Sequence, residues 1–239
     1  MVTDERTGHP VVQPAPPYNR WFIAFSFLLV AVHEAHELAH AVTGRILCGE
    51  WPARDFNAWR FVGDCSSWWP TAAGPLFSYA LMLLGSTLAL RSATHRWAGI
   101  AMLFAANPFA RIFTVAMGGG DEMVVAQRIA QVAERTTGLR VFVLTLVLAV
   151  CGAAIIAGWR AMHGAARWRV LFPFVLLWPM VLTGLALFMI GNGLLKAGVL
   201  TAPTITGAPL LVVLVSVVAV VLAGVTSQWL SGLNSRKQA

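Results

Sequence analysis

Six apolar stretches, each close to the length that crosses a lipid bilayer, constrain this chain more than any other feature of its sequence. A helix needs about 20 apolar residues to span the hydrocarbon core. The stretches cover residues 21–44, 69–90, 97–117, 141–159, 170–195 and 209–230. Tryptophans cluster near their ends, as in the aromatic belts of membrane proteins. The sequence therefore predicts an all-α membrane protein, a polytopic bundle of about six transmembrane helices.

The composition excludes a soluble protein. Only 11% of the 239 residues are charged and 58% are hydrophobic, whereas soluble domains carry about 25% charged residues. This balance rules out a cytosolic enzyme, a nucleic-acid-binding domain and a disordered region. The net charge of +7 comes mostly from arginines that flank the apolar stretches. Such a distribution indicates orientation in a membrane, and we expect the lipid bilayer, not nucleic acid, as a partner.

The chain divides into one membrane domain and two polar ends. Residues 1–19 are polar and rich in proline, lack the apolar core of a signal peptide, and are predicted to form a disordered tail. Residues 20–232 form a single transmembrane domain, and residues 233–239 form a basic C-terminal tail. We therefore expect an integral, multi-pass protein of the cell (inner) membrane.

The distribution of Lys and Arg favours cytoplasmic termini. With six spans both termini lie on one side of the membrane, and cytoplasmic segments carry an excess of these residues. The side of the termini has nine, and the opposite loops have seven. The nine are Arg6, Arg20, Arg91, Arg96, Arg160, Arg167, Arg169, Arg236 and Lys237. The seven are Arg45, Arg54, Arg60, Arg128, Arg135, Arg140 and Lys196.

Two loops are longer than the others. The first, residues 45–67, contains Cys48 and Cys65. These two either form a disulfide, if the loop faces an oxidising compartment, or remain free thiols, because spacing alone does not establish the geometry of a bridge. In the other, residues 118–140, the apolar positions of 123–135 predict a short amphipathic helix at the membrane interface.

The first span concentrates ionisable side chains that an apolar helix normally excludes. Five of them fall within eight residues: His33, Glu34, His36, Glu37 and His40. A charged group at the centre of a membrane helix costs roughly 2.5–3.5 kcal/mol. We therefore expect these side chains to face a metal ion, water or a partner.

Helical geometry brings most of this cluster to one face. At about 100° per residue, His36, Glu37 and His40 share a face with His33, and Glu34 lies at its edge. His36–His40 is an H-E-x-x-H match, in which the two histidines can bind zinc and the glutamate lies beside the activated water. The alternative is a buried polar network that fixes helix packing. His33 is open among three roles: orienting a ligand, contacting substrate, or acting as an alternative ligand.

A catalytic zinc ion needs a third protein ligand and one open position. Asp121 and Glu122 follow the third apolar stretch, after three glycines that permit unusual backbone conformations. The first and third spans run parallel, so both acidic residues lie on the same side of the membrane as His36 and His40. Either of them can turn inward.

Pro108 and Arg111 in the third span lead to two further predictions. Pro108 removes a backbone donor and predicts a kink. Arg111 is costly at this depth and is expected to pair with an acidic group or to reach water. The last three spans contain no Asp, Glu or His, which favours a single localised site.

These motifs resemble those of the site-2 protease family of intramembrane zinc metalloproteases. HELAH, residues 36–40, is similar to the H-E-x-x-H of an early span in that family, and AGPLFSYALMLLG, residues 73–85, is similar to its Gly-Pro-containing second core helix. Asn107-Pro108 followed by GGGDE is similar to the third core segment, where an aspartate beside glycine is a zinc ligand. The match covers roughly residues 30–122.

The resemblance implies a function. It implies a three-helix catalytic core over residues 21–122, zinc (Zn²⁺) held by His36, His40 and Asp121, and Glu37 as the catalytic base; it favours Asp121 over Glu122. The expected activity is that of a zinc metallopeptidase that cleaves membrane-embedded or membrane-adjacent protein or peptide substrates. The glycines precede the aspartate here, and no PDZ-like domain is inserted.

A function of another class is open as an alternative. The chain is then a non-proteolytic membrane metal- or haem-binding protein, or an inactive relative of the protease that acts as a binding partner. A transporter would spread its coordinating groups over several spans. A di-iron bundle uses two Glu-x-x-His motifs, whereas only Glu37 and His40 form one here.

Overall fold

The six predicted spans are helices in the computed structural model, which describes residues 18–163, 165 and 168–231. Each is long and apolar enough to cross a membrane: Tyr18–Cys48, Trp69–Arg91, Arg96–Ala116, Thr137–Met162, Trp168–Lys196 and Leu210–Trp229. The predicted all-α, multi-pass fold is confirmed. The predicted tails lie outside the described residues, except that the first helix already begins at Tyr18.

The third span is two helices, not one kinked helix. Helices α1 (Tyr18–Cys48) and α2 (Trp69–Arg91) are continuous, but α3 (Arg96–Ala105) and α4 (Pro108–Ala116) are separated at Asn107. This asparagine has φ 55°, a left-handed conformation, and caps α4 through its side chain. The proline therefore starts a new helix, a position that it tolerates because the missing N–H has no partner there.

The amphipathic helix predicted in the third loop is present as α5 (Asp121–Ala130). It is shorter than the predicted segment because Gln131 adopts the left-handed conformation, φ 54°, and ends it. The fourth span is α6 (Thr137–Met162).

The fifth span changes its helical pitch halfway. It consists of α7 (Trp168–Leu182), a π-helical segment (Thr183–Gly191) and α8 (Asn192–Lys196). π-Helical turns are rare and are frequently found at functional sites. The sixth span is α9 (Leu210–Thr226), followed by a 3₁₀ turn (Ser227–Trp229).

The first loop folds into a small hairpin fastened by a disulfide. Strands β1 (Ala53–Arg54) and β2 (Trp59–Arg60) pair antiparallel. Cys48 and Cys65 form a disulfide with Cα atoms 5.6 Å apart, so of the two alternatives the structure has the bridge. Phe56, at the hairpin turn, is buried against residues of the fifth and sixth spans.

Glycine allows the second and third spans to touch through their backbones. Helix α1 packs against α2, α3, α7 and α9, and α2 packs in turn against α3, α5 and α6. A Cβ added at Gly85 of α2 would lie 2.6 Å from the Leu103 nitrogen and 2.8 Å from the Gly99 oxygen of α3. This contact joins α2 closely to α3, and both helices also pack against α1.

We expect Gly85→Ala to lower the thermal unfolding midpoint of the detergent-purified protein, because the added methyl meets backbone atoms that cannot move aside. Overpacking of this kind costs about 1–3 kcal/mol. Gly152→Ala on α6 is the matched control, since an added Cβ there meets nothing within 4 Å. Equal midpoints for the two variants would contradict this account of the packing.

Candidate metal centre

Three buried or half-buried side chains bring their donor atoms together between the C-terminal half of α1 and the start of α5. His36 and His40 lie on successive turns of α1, and Asp121 is the first residue of α5. The two Nε2 atoms are 3.1 Å apart. Asp121 Oδ2 lies 3.3 Å from His36 Nε2 and 3.4 Å from His40 Nε2. Among the described residues these three form a group that could hold a metal ion.

The spacing of the donors fits a small tetrahedral ion. Bonds of 2.0–2.1 Å to zinc in a tetrahedron put neighbouring ligand atoms about 3.3–3.4 Å apart. The three donor separations, 3.1, 3.3 and 3.4 Å, are close to this value. Three protein ligands leave a fourth position open, which is the arrangement of catalytic rather than structural zinc.

The hydrogen bonds of His40 favour the tautomer that a metal requires. Its Nδ1–H donates to the carbonyl oxygen of Pro70 at 2.6 Å, and because a carbonyl only accepts, the ring proton lies on Nδ1 in the neutral imidazole. The lone pair of Nε2 then points to the group. Metal-binding histidines commonly have such a partner on the other ring nitrogen. The ring of Trp59 stacks on His40 with centroids 5.2 Å apart.

His36 has two competing neighbours at its other nitrogen. Nδ1 lies 3.0 Å from Ser78 Oγ and 2.9 Å from Arg111 Nη2. The guanidinium only donates, and it also donates to Ser78 Oγ at 2.8 Å. When Nδ1 carries the proton it donates to Ser78, and Nε2 is free for a metal. When Nδ1 accepts from Arg111, Nε2 carries the proton and donates to Asp121.

Gly74 of α2 makes room for both imidazoles. A Cβ at this position would lie 2.6 Å from His36 Cε1 and would collide with His40 Nε2. Position 74 therefore requires glycine for steric reasons. Any side chain there would push α2 away from the face of α1 that carries His36 and His40.

Glu122 differs from Asp121 in its partners: it binds Arg111 and Tyr79, and it is not in the metal-binding group. Its Oε1 accepts from Arg111 Nη1 at 2.6 Å and from the Tyr79 hydroxyl at 2.7 Å. The expected pairing of Arg111 with an acidic group is therefore present. Burial raises the pKa of the Asp121 carboxyl, but the neighbouring His36 and His40 imidazoles lower it more, to below the usual range. The Asp121 carboxylate is thus the acidic group that faces the two histidines.

Glu37 is a buried carboxylate with a vacant hydrogen-bonding position. It is 6% exposed, and its Oε2 has no hydrogen-bond partner among the described residues. A buried polar atom normally has such a partner. An acceptor beside three metal-binding donor atoms is suited to receive a proton from a water molecule held there.

A cavity of about 450 Å³ adjoins the group and is lined by His36, Glu37 and Asp121. Its other walls come from α4, from the hairpin and from the π-helical segment, through residues that include Asn107, Asn57 and Gly184. The volume lies within the range of small-molecule pockets. The metal-binding group therefore lies in the wall of a cavity that has room for a ligand.

The two remaining ionisable residues of the first span have other partners. His33 Nε2–H donates to the Phe56 carbonyl at 2.7 Å, and it is outside the group of metal-binding donors. Glu34 pairs with Arg54 at 3.2 Å and accepts from Ser216 Oγ at 2.6 Å. Glu34 therefore belongs to a buried polar network, the role that the sequence offered as the alternative to metal binding.

Three contributors to the site were not found from the sequence: Ser78, Trp59 and the carbonyl of Pro70. Ser78 had a local signal, because it lies one helical turn after Gly74 and so on the same face of α2. The other two belong to the first loop and to the start of α2, where no periodic pattern reports which groups meet α1.

No protein-family model, curated protein or solved structure matches this chain. The function must therefore be inferred from the chemistry of the side chains around the His36–His40–Asp121 group and from the motifs.

We expect Asp121→Asn and Glu122→Gln, two isosteric losses of charge, to differ in bound zinc. Asp121→Asn removes an anionic donor and should weaken zinc affinity by more than about 100-fold, since even outer partners of a ligand contribute 10–100-fold. Glu122→Gln should keep its zinc but unfold more readily, because Arg111 loses its buried counter-charge. Elemental analysis after dialysis at fixed free zinc makes the comparison; zinc lost only from Glu122→Gln would refute it.

Proposed function

We propose that the protein is an intramembrane zinc metalloprotease similar to the site-2 protease family. The observation that carries the proposal is the buried His36–His40–Asp121 group with the unpartnered carboxylate of Glu37 in the wall of the same cavity. Metal ligands alone would suit storage or transport. A free buried base beside them suits hydrolysis.

The donor set supports zinc as the metal. Two imidazoles and one carboxylate are a common ligand set of catalytic zinc, whereas Mg²⁺ and Ca²⁺ prefer sites made of oxygen ligands.

The metal ion and Glu37 would have different roles in the reaction. Bound zinc would activate a water molecule and polarise the scissile carbonyl. Glu37 accepts the proton of the attacking water through its free Oε2 and returns it to the leaving amine, acting first as base and then as acid. The hydrogen bond from His40 to Pro70 and the packing of Gly74 keep the ligand face of α1 in place while the proton moves.

We expect the substrate to bind in an extended conformation. In a helix the carbonyls are already hydrogen-bonded along the chain, so the scissile bond of a helical segment is hidden. We therefore expect substrates with helix-weakening residues near the cut, bound as an extended segment between the Glu37 face of α1 and the π-helical wall.

We expect Glu37→Gln to retain zinc and to lose cleavage of a membrane-anchored test peptide by about 10²–10⁴-fold, the usual contribution of a general acid–base. Glu134→Gln, the same change at an exposed position, is the matched control and should cleave normally. Both proteins are purified, and zinc is measured on the same samples. Unchanged cleavage by the Glu37 variant would refute the protease, and zinc binding without any cleavage by the unmodified chain would favour the non-proteolytic metal-binding alternative.

We expect Gly184→Leu to reduce cleavage by roughly tenfold to 10²-fold, because a misplaced substrate is costly, while zinc content stays the same. Gly184 lines the cavity, and an added Cβ meets no heavy atom within 4 Å, so a larger side chain there adds bulk to the cavity wall without a clash at its Cβ. Gly193→Leu on α8 is the control, since Gly193 also has open space around it but lies outside the cavity lining. Equal cleavage by the two variants would show that the cavity is not the substrate site.

A further inference from the structure

A second cavity, of about 510 Å³, lies between α2, α5 and α6, away from the donor atoms of the metal centre. We call it the α2–α6 groove, and its lining lies within residues 68–79, 122–130 and 139–150. The described lining is apolar except at Tyr79 and Glu122. Three of its large side chains, Leu76, Phe142 and Leu146, are half exposed or more. The cavity is therefore an apolar groove that is open at the surface of the helix bundle.

The groove extends along only half of the two spans that form it. On α6 its lining runs from Leu139 to Val150, and on α2 it runs from Trp69 to Tyr79. The 11 steps from Leu139 to Val150 correspond to about 16 Å of helix, which is close to half of the roughly 30 Å hydrocarbon core. A groove of this length matches an acyl chain of one lipid leaflet, and it ends too early to receive a second spanning helix.

Tryptophans and a cation lie at the end of the groove that is nearest to the first and third loops. Trp68 and Trp69 line this end and stack on each other with ring centroids 4.2 Å apart. Arg128 of α5 donates to the Ser67 carbonyl at 2.9 Å, and its neighbour Ile129 lines the groove. Tryptophan is enriched at the depth of the lipid head groups. The Arg128 guanidinium therefore lies at the rim of the groove, where the head group of a lipid would be.

The segment around this rim carries an excess of positive charge. Residues 123–140 contain three arginines and one acidic residue: Arg128, Arg135, Arg140 and Glu134. The acidic residue of the lining, Glu122, is neutralised by its pair with Arg111 at 2.6 Å. The exposed Arg128 guanidinium has five N–H donors, more than its hydrogen bond to Ser67 uses, and guanidinium donors bind phosphate well. The rim is thus complementary to an anionic head group.

The polar wall of the groove is connected to the metal centre. The Tyr79 hydroxyl donates to Glu122 Oε1 at 2.7 Å, and the same oxygen accepts from Arg111. Arg111 Nη2 lies 2.9 Å from His36 Nδ1. Glu122 lines both the groove and the cavity beside the metal centre. An acyl chain in the groove would therefore cover, from the outside of the bundle, the ion pair that contacts a metal-binding histidine.

We infer that the α2–α6 groove is a binding site for one anionic phospholipid, with an acyl chain in the groove and the phosphate on Arg128 at the rim. The length of the groove and its opening at the bundle surface define the place of the chain. The charge at the rim selects the head group. The site goes beyond the proposed protease activity and does not depend on it. A lipid that binds the folded protein there stabilises it.

Lipid retention and thermal unfolding test the site on the delipidated, detergent-purified full chain. The probes are phosphatidylglycerol and phosphatidylcholine with identical acyl chains, added separately and followed by native mass spectrometry. We expect one retained phosphatidylglycerol per chain, bound about fivefold more tightly than phosphatidylcholine, which is the contribution of one arginine near the head groups. The unfolding midpoint should rise with phosphatidylglycerol concentration. Equal binding of the two lipids, or a retained second copy of the chain in place of lipid, would overturn the inference.

Arg128→Gln tests the head-group contact. We expect this variant to bind phosphatidylglycerol only as well as phosphatidylcholine, because the cation at the rim is lost. Arg91→Gln, the same change at the exposed other end of α2, is the matched control and should keep the preference. A preference for phosphatidylglycerol that survives in Arg128→Gln would overturn the assignment of the phosphate to this residue.

Leu146→Trp tests the place of the acyl chain. The larger side chain fills the groove and should weaken binding of both lipids by roughly tenfold or more. Leu84→Trp is the matched control, since Leu84 is 50% exposed, close to the 52% of Leu146, and lies outside the groove lining on α2. Unchanged lipid binding by Leu146→Trp would overturn the inference.

Photocrosslinking gives the same information on the unmodified chain, whatever the stability of the variants. A phosphatidylglycerol with a diazirine in its acyl chain is bound, illuminated and mapped by peptide mass spectrometry. We expect the main crosslinks within residues 139–150 of α6 and 68–79 of α2. Crosslinks confined to other spans would overturn the inference.

Discussion

The free-energy cost of placing charged side chains inside a bilayer determines which side chains must meet in this protein. Each ionisable side chain in an apolar helix needs a partner worth a few kcal/mol. Loop segments packed against the spans provide such partners: Arg54 of the hairpin pairs with Glu34, and Glu122 of α5 pairs with Arg111. His36 and His40 have Asp121. One carboxylate oxygen of Glu37 has no hydrogen-bond partner. Glu34 and Arg111 each leave one buried atom without a hydrogen bond as well, but each has an ionic partner, whereas Glu37 has no salt bridge among the described residues. The proposed catalytic base is therefore the buried carboxylate that lacks an ionic partner.

Small residues and breaks in the helices bring the partners together. Gly74 admits the two imidazoles, and Gly85 lets α2 and α3 meet through their backbones. The break at Asn107 turns α4 so that Arg111 reaches Glu122 and Ser78. The metal-binding group therefore depends on the packing of α1 and α2 with α5. The hairpin and the π-helical segment line the cavity beside it.

Sequence alone could predict what depends on periodicity and topology. The six spans follow from hydropathy, and the shared face of His36, Glu37 and His40 follows from helical geometry. The meeting of these residues with the acidic pair follows from parallel spans, although their roles as ligands and base remain a prediction. The choice between Asp121 and Glu122 could not be derived from periodicity, because adjacent residues differ only in the direction in which they point. Nor could the disulfide or the stacking of Trp59 on His40, since both depend on how a non-periodic loop folds.

The most direct test of the metal centre is X-ray absorption at the zinc edge on the purified, zinc-loaded protein. The account predicts one zinc ion with four nitrogen or oxygen neighbours at about 2.0–2.1 Å and scattering from two imidazole rings. Asp121→Asn should change that spectrum, and Glu122→Gln should leave it unchanged. A spectrum with six oxygen neighbours and no imidazole scattering, or a protein that retains no zinc, would contradict the account.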